Sequence, residues 1–138
     1  MLGDTERESE IAQFGIGGPA DLFVVAREDN SITEIGNDLL RGNFTDAPSK
    51  AWKVEVADAG HWTFSDLNGV SDAYPAGCGD DTRQTNGQPF TYLDPAAGRS
   101  LAASYVTAFF LATLQGDDEA EAYMTSGRGD GVTADAHP

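Results

Sequence analysis

Two short stretches of the chain have the hydrophobic pattern of β-strands. Residues 20–26 form a nearly continuous apolar run, and residues 51–56 alternate between apolar and polar positions. A continuous run is typical of a strand that is covered on both faces, as in a parallel sheet. Alternation is typical of a strand with one buried face. The pattern therefore predicts two strands in the first half of the chain.

A helix is predicted between these strands. Ser31 and Glu34 have the spacing of a capping box with Ser31 as the N-cap, and Gly42 is predicted to end the helix. Its apolar positions share one face: Ile32, Ile35 and Leu39. Strand, helix and strand over 20–56 make a βαβ unit, which implies parallel strands and a right-handed crossover. Because two parallel strands alone leave edges and faces uncovered, the pattern also predicts that the unit belongs to a larger fold.

The second half of the chain is predicted to be a long loop followed by helices. Residues 68–88 are rich in Gly, Asp, Asn and Ser and are predicted as loop, whereas residues 99–114 carry an apolar helical stripe. A short helix is predicted over 117–124. The predicted division of the chain is an acidic lead-in (1–18), a single folded segment (19–125) and a disordered tail (126–138).

Composition narrows the possible partners. The 138 residues fit one domain, and 8 Lys plus Arg against 23 Asp plus Glu give a formal net charge of −15. This charge disfavours nucleic acids and anionic membranes. The single Cys78 excludes an internal disulfide framework and a Cys-rich zinc site. No apolar run is long enough to span a bilayer, and no signal peptide is visible, although the compartment stays open because an original N-terminus can be lost.

His61 is the clearest candidate for chemistry. It follows the second predicted strand directly, in a Gly-containing turn at the end where ligands and catalytic groups gather in parallel sheets. An imidazole there can act as a general base, and Asp29 on the neighbouring loop can orient it. The alternative is a histidine that merely caps a turn.

The stretch around His61 resembles a known catalytic loop. Residues 53–67 contain Ala-Gly-His-x-x-Phe-Ser-Asp after a strand, and residues 19–32, 78–81, 90–95 and 105–110 add weaker similarity. Together they resemble the C-terminal portion of α/β-hydrolases of the platelet-activating-factor acetylhydrolase-like and dienelactone-hydrolase-like branch, with bacterial polyester hydrolases nearby. The resemblance implies an α/β fold made of the last two parallel strands of that sheet, their crossover helix and the terminal helix.

The resemblance also implies roles for individual residues. His61 matches the histidine of a catalytic triad, and Asp29 matches the acid, although in this family the acid can also follow a strand further upstream. Asp66 matches a structural position that holds the turn after the histidine. The implied activity is hydrolysis of a carboxylic ester, from a small molecule or a lipid, with no cofactor and no metal.

One part of the hydrolase pattern is missing from the sequence. The nucleophile of this fold sits in a Gly-x-Ser-x-Gly elbow ahead of the acid and histidine, and no such motif precedes His61. Ser100, in Gly-x-Ser-x-Ala, comes after His61 and is predicted to be an ordinary helical residue. The chain alone is therefore predicted to be inactive, a partial serine hydrolase prone to self-association. The alternatives are one half of a split hydrolase, completed by another chain, or a non-catalytic acidic binding module.

Overall fold

A computed structural model gives the fold of residues 20–27, 31–60, 62–66, 79–127, 129 and 131–138. It is a mixed α/β structure with a small three-stranded sheet, a separate hairpin and three helices. The elements in chain order are β1 (Asp21–Arg27), α1 (Ser31–Thr45), β2 (Ala51–Ala57), β3 (Asp80–Thr82), β4 (Pro89–Thr91), α2 (Pro95–Gln115), α3 (Asp118–Met124) and β5 (Val132–His137).

The predicted βαβ unit is confirmed. β1 and β2 are adjacent and parallel, in a register that pairs Asp21 with Ala51 and Arg27 with Ala57. α1 makes the crossover between the two strands and begins at Ser31, one residue ahead of the start that an N-cap at Ser31 predicts. The sheet order is β1-β2-β5, so β2 is the central strand.

The prediction of a disordered tail over 126–138 was wrong. Residues 132–137 form β5, which pairs antiparallel with β2 from Ala51 opposite His137 to Val56 opposite Val132. The turn into the strand uses Gly131 at φ 101°, whose carbonyl accepts the Ala57 N–H at 2.7 Å. β5 forms because it satisfies the polar backbone of β2, which would otherwise be an open edge. The two-stranded sheet of the sequence prediction is therefore three-stranded.

The main helix starts earlier than predicted. α2 begins at Pro95, not at Arg99, because Asp94 is its N-cap and accepts a hydrogen bond from the Ala97 N–H at 3.0 Å. Proline fits the first helical position, where its missing N–H costs nothing. The helix ends at Gly116, which takes the left-handed conformation of a C-cap at φ 66°.

α1 departs from its prediction in two ways. The helix continues through Gly42 to Thr45, and two residues of its predicted apolar face, Ile35 and Leu39, lie on the side away from the sheet. Ile35 is 69% exposed and Leu39 is 65% exposed, whereas Asn37, on the opposite side of the helix, is buried and donates to the Ala26 carbonyl at 3.2 Å.

Part of the predicted long loop is a hairpin. β3 and β4 pair antiparallel around a turn in which the Gly87 N–H donates to the Arg83 carbonyl at 2.8 Å. Gly87 adopts φ 70°, a conformation that suits glycine. The Arg83 guanidinium stacks on the ring of Phe90, 4.3 Å from its centroid. Residues 67–78 lie outside the described part of the chain.

The hydrophobic core lies between one face of β2 and the helices α2 and α3. Trp52, Val54 and Val56 project from β2 into this space and are almost fully buried. The Trp52 ring meets the Phe109 ring edge-on at 5.9 Å. Tyr105 is also buried, and its hydroxyl donates to a backbone carbonyl after α3 at 2.6 Å.

The other face of β2 carries charge. Lys53 and Glu55 form an ion pair at 3.1 Å, and the Arg41 guanidinium of α1 donates to both carboxylate oxygens of Glu55 at 3.1 and 3.2 Å. Burial alone would raise the pKa of Glu55, but its hydrogen bonds with Arg41 and Lys53 outweigh burial and hold that pKa below its usual range. Burial alone would lower the pKa of Lys53, but bonds to Glu55 and Asp135 outweigh it and raise that pKa.

Candidate functional site

The carboxyl ends of β1 and β2 lie side by side. Arg27 pairs with Ala57 at the last position of the parallel ladder, and the Asp58 N–H donates to the Arg27 carbonyl at 2.8 Å. The segments that leave both strands therefore start from neighbouring points on the same sheet edge. This edge is where open α/β sheets bind ligands.

The two residues that the sequence assigns to catalysis belong to these segments. Asp29 is the second residue after β1, and His61 is the fourth residue after β2. Both Asp29 and His61 lie outside the described residues, so their pairing stays a prediction. The neighbours of His61, Gly60 and Trp62, are described and show how the loop around it is built.

The loop leaves β2 through a sharp bend at Asp58. Asp58 has φ 58°, in the left-handed region that Asp tolerates better than most side chains. Its carbonyl accepts the Leu93 N–H at 2.7 Å, and its carboxylate pairs with the Arg83 guanidinium. The bend is thus tied to the hairpin and to the segment that enters α2.

Thr63 closes the next turn. Its N–H donates to the Gly60 carbonyl at 3.1 Å, and its hydroxyl accepts the Gly60 N–H at 2.7 Å. Thr63 is fully buried and Gly60 is buried, so the turn that spans position 61 is fixed at both ends. The resemblance gave this role to Asp66, but Asp66 is exposed, and within the described residues Thr63 holds the turn.

The amino-terminal part of α2 packs directly on this turn. A Cβ atom at Gly98 would lie 2.5 Å from Thr63 Cγ2 and 2.9 Å from the Thr63 carbonyl oxygen, so the helix can approach only with glycine at this position. Arg99 then donates to the Ser65 carbonyl at 3.1 Å. Sequence reasoning missed both Thr63 and Gly98. A threonine three residues after a glycine, and a glycine inside an apolar helix, were the available signals.

Ser100 is a helical residue, as predicted. It lies in the second turn of α2 because the helix begins at Pro95, and its carbonyl accepts the Ser104 hydroxyl at 2.9 Å. A nucleophile elbow needs a sharp turn between a strand and a helix. Ser100 is already inside the helix and does not have that geometry.

An open groove of about 640 Å³ runs between α2 and α3. Its polar lining comes from hydroxyl groups on α2 and from carboxylates at the start of α3: Ser100, Ser104, Thr107, Asp117 and Glu119. Among residues 20–27, 31–60, 62–66, 79–127, 129 and 131–138, no group of three or more His, Cys, Asp or Glu side chains could hold a metal ion. No helix within these ranges is long and apolar enough to cross a membrane.

Comparisons of the chain with protein-family models, with curated proteins and with solved structures find no match.

Proposed function

We propose that this chain is the C-terminal portion of a serine hydrolase of the α/β-hydrolase fold and supplies its catalytic histidine. In the complete protein His61 acts as the general base of a carboxylic-ester hydrolase. Asp29, or a carboxylate after a strand further upstream, orients its imidazole ring. The nucleophilic serine comes from sequence outside these 138 residues, either upstream in the same protein or on a separate chain.

The reaction needs two proton transfers through His61. The imidazole accepts the proton of the serine hydroxyl while the serine oxygen attacks the ester carbonyl, and it then gives that proton to the leaving alcohol. This leaves an acyl-enzyme. Water repeats the sequence, with His61 taking a proton from water and returning it to the serine oxygen as the acid is released. No cofactor takes part in the proposed reaction.

The observation that carries the proposal is the fixed turn around position 61. Ala59 and Thr63 are fully buried, Thr63 closes the turn onto Gly60, and α2 packs against it without a side chain at Gly98. A histidine that only capped a turn would not need such support from the far half of the chain. A general base needs it, because a misplacement of about 1 Å can cost about a hundredfold in rate.

The chain alone gives a first test. The purified 138-residue protein should hydrolyse p-nitrophenyl esters no faster than its His61→Ala variant, and a fluorophosphonate probe should label no serine. Stoichiometric labelling of any serine in this chain, Ser100 included, would contradict the proposal because the nucleophile would then lie within it.

The complete protein gives the decisive test. The coding sequence upstream of Met1 should contain an in-frame Gly-x-Ser-x-Gly, or a partner chain should provide one. In the active protein, His61→Ala should lower kcat by about 10⁴-fold or more. The matched control is His137→Ala, which removes the other histidine, on β5 beside Phe44, and should leave kcat nearly unchanged. Equal losses in both variants, or none in His61→Ala, would exclude His61 as the base.

A further inference from the structure

Asp58 has a backbone conformation that needs support from its surroundings. Its φ is 58°, and among the residues that the structure describes it is the one non-glycine residue with a positive φ. The left-handed region costs an L-residue free energy, because the Cβ atom crowds the carbonyl oxygen that follows. Such a residue persists only where its contacts determine its conformation. Since Asp58 directly follows β2, its conformation sets the direction in which the chain leaves the sheet toward the turn around position 61.

Two backbone hydrogen bonds hold Asp58 in place. Its N–H donates to the Arg27 carbonyl at 2.8 Å, and its carbonyl accepts the Leu93 N–H at 2.7 Å. The first bond joins Asp58 to the end of β1, and the second joins it to the segment before α2. A glycine could make both bonds and would adopt the same φ without strain. The backbone contacts therefore do not explain why this position carries an aspartate.

The carboxylate of Asp58 makes a contact that glycine could not provide, an ion pair with the Arg83 guanidinium. Arg83 directly follows β3, and its own N–H donates to the Gln88 carbonyl at 2.9 Å. Its guanidinium lies 4.3 Å from the centroid of the Phe90 ring, on β4. A guanidinium that packs on a ring can still donate hydrogen bonds in its own plane. Only 17% of the Arg83 side chain is exposed, so the hairpin presents a largely shielded cation to Asp58.

One short segment, residues 90–93, supports both the carboxylate and the carbonyl of Asp58. Phe90 packs on the Arg83 guanidinium, and the Leu93 N–H donates to the Asp58 carbonyl. Because Phe90 and Leu93 are so close in the chain, neither contact can move far without the other. The hairpin and the segment that follows it thus reach Asp58 through a side chain and through the backbone, and both contacts meet at the bend.

We propose that Arg83 is a positioning residue for the catalytic histidine. Its ion pair holds Asp58 in the left-handed conformation, and this fixes the path of the chain from β2 into the turn that contains His61. Ala59 is fully buried and Gly60 is buried, so the two residues between leave little room for the path to adjust. The inference rests on the proposed function for the role of His61, whereas the effect of Arg83 on the turn can be measured without catalysis.

Loss of the ion pair should loosen the turn and leave the fold intact. The hydrophobic core lies between β2, α2 and α3, and Arg83 is not part of it. Without Arg83, the strained φ of Asp58 has less to support it, and the bend can relax. The effect should appear first at the N–H groups of Gly60 and Thr63, which donate to the Thr63 hydroxyl and to the Gly60 carbonyl.

Hydrogen exchange of the purified 138-residue chain tests this expectation. Arg83→Met removes the charge but keeps the length of the side chain and a contact with Phe90. In this variant the Gly60 and Thr63 amides should exchange about tenfold faster, while the amides of β2 exchange as in the wild type. Unchanged exchange at both turn amides would overturn the inference. An equal increase throughout β2 would also overturn it, because Arg83 would then act on the whole fold.

The matched control is Lys50→Met. Lys50 also pairs with a carboxylate, that of Glu121, and lies 5.1 Å from the centroid of the Trp52 ring, but it is at the other end of β2. Its removal makes the same change to the formal net charge of −15 and should leave exchange in the turn unchanged. An increase as large as that in Arg83→Met would overturn the inference, because the loss of any positive charge would then loosen the turn.

Asp58→Gly separates the strain from the ion pair. Glycine adopts the left-handed conformation without cost, so this variant removes the strain together with the carboxylate. The turn should then no longer depend on Arg83, and adding Arg83→Met to Asp58→Gly should change exchange at Thr63 by less than about twofold. Arg83→Lys, which keeps the charge, should stay nearer to the wild type than Arg83→Met. An undiminished effect of Arg83→Met in the glycine variant would overturn the inference.

Catalysis distinguishes this inference from the proposed function. In the complete active protein, Arg83→Met should lower kcat about tenfold and change KM by less than about twofold, because a misplaced base slows the chemical step and leaves substrate binding intact. Full activity of Arg83→Met beside an inactive His61→Ala would overturn the inference alone. Full activity of His61→Ala would overturn the proposed function, and with it the positioning role of Arg83, even where the turn exchanges faster.

Discussion

Trp52 and Lys53 are neighbours on β2, yet their side chains enter surroundings of opposite character. Trp52 projects toward α2, is 1% exposed and packs on Phe109. Lys53 projects toward α1, where it pairs with Glu55 and Asp135 and lies 5.2 Å from the Phe44 ring centroid. One face of the sheet is thus closed by apolar packing, and the other is closed by charged groups.

The difference explains how the two helices sit. α2 packs Tyr105 and Phe109 on the apolar face below it, while three of its large apolar side chains stay exposed: Val106, Phe110 and Leu114. α1 faces Lys53 and Glu55, which need charged or polar partners, so it turns Arg41 toward the sheet and leaves Ile35 and Leu39 in solvent. The strand below decides which side of a helix is buried, and for α1 it overrides the helix's own apolar stripe.

Among these variants, removal of the Trp52 side chain should cause the largest loss of stability. Trp52→Ala leaves a cavity between β2 and α2 and should lower the free energy of unfolding by about 3–5 kcal/mol. That is a large share of the total stability of a small domain, about 5–15 kcal/mol. Chemical denaturation followed by circular dichroism measures it. Trp52→Phe keeps a ring beside Phe109 and should lose about 1–2 kcal/mol; an equal loss in both variants would mean that the ring contact contributes little.

On the charged face, loss of Arg41 should have the next largest effect. Arg41→Ala leaves the partly buried Glu55 carboxylate with Lys53 alone and should cost about 1.5–3 kcal/mol in denaturation experiments. Asp38, which also contacts Arg41 but is 75% exposed, is the control. Asp38→Ala should change stability by less than about 0.5 kcal/mol, and a larger change there would mean that the contact with Glu55 is not the important one.

A glycine-to-alanine substitution in each helix compares the packing of α2 with that of α1. Gly98→Ala forces a Cβ against Thr63 and should destabilise the protein by about 1–3 kcal/mol. Gly36→Ala, in α1, adds a Cβ where no atom lies within 4 Å and should stabilise it by up to about 1 kcal/mol through helix propensity. Thermal unfolding measures both changes: the melting temperature should fall in Gly98→Ala and rise in Gly36→Ala. Stabilisation in both variants would show that α2 does not press on the turn around position 61.

The charged face should respond to pH in a direction that the pKa values fix. The pKa of Glu55 is lower in the folded protein than its ordinary value of 4.5. The stabilisation that the Glu55 carboxylate gives the folded state is therefore fully present above pH 4.5 and is lost as the pH falls through the folded pKa. The pKa of Lys53 is raised in the folded protein, so the stabilisation that the Lys53 ammonium gives is present below pH 10.5 and is lost as the pH rises through the folded pKa. Stability curves of Glu55→Gln should therefore fall less steeply in acid than those of the wild type. An unchanged acid slope in Glu55→Gln would contradict this account of the charged face.

The strands β1 and β2 could be predicted from sequence because their apolar patterns are local. β5 could not, because it is stabilised by pairing with β2, which is distant in the chain, and its own Val-Thr-Ala-Asp-Ala-His alternation is weakly apolar. The start of α2 lies ahead of the predicted one because the Asp94 cap and Pro95, the first helical residue, precede the apolar stripe from which the helix is predicted.

The site shows the same division between local and distant signals. His61 and Asp29 are predicted from their places after two strands, and the structure places the ends of those strands together. Thr63 and Gly98 could not be assigned, since their roles depend on a contact between the β2 loop and a helix that begins far along the chain, at Pro95.

The proposed pairing of Asp29 with His61 is the central claim. Proton NMR of the histidine ring N–H groups tests it most directly, because an imidazole N–H held by a carboxylate gives a far-downfield signal that is protected from exchange with water. The wild-type chain should show one such signal, which is absent in His61→Ala and in Asp29→Asn and retained in the matched Asp66→Asn variant. A signal that survives Asp29→Asn, or that vanishes only in Asp66→Asn, would contradict the claim.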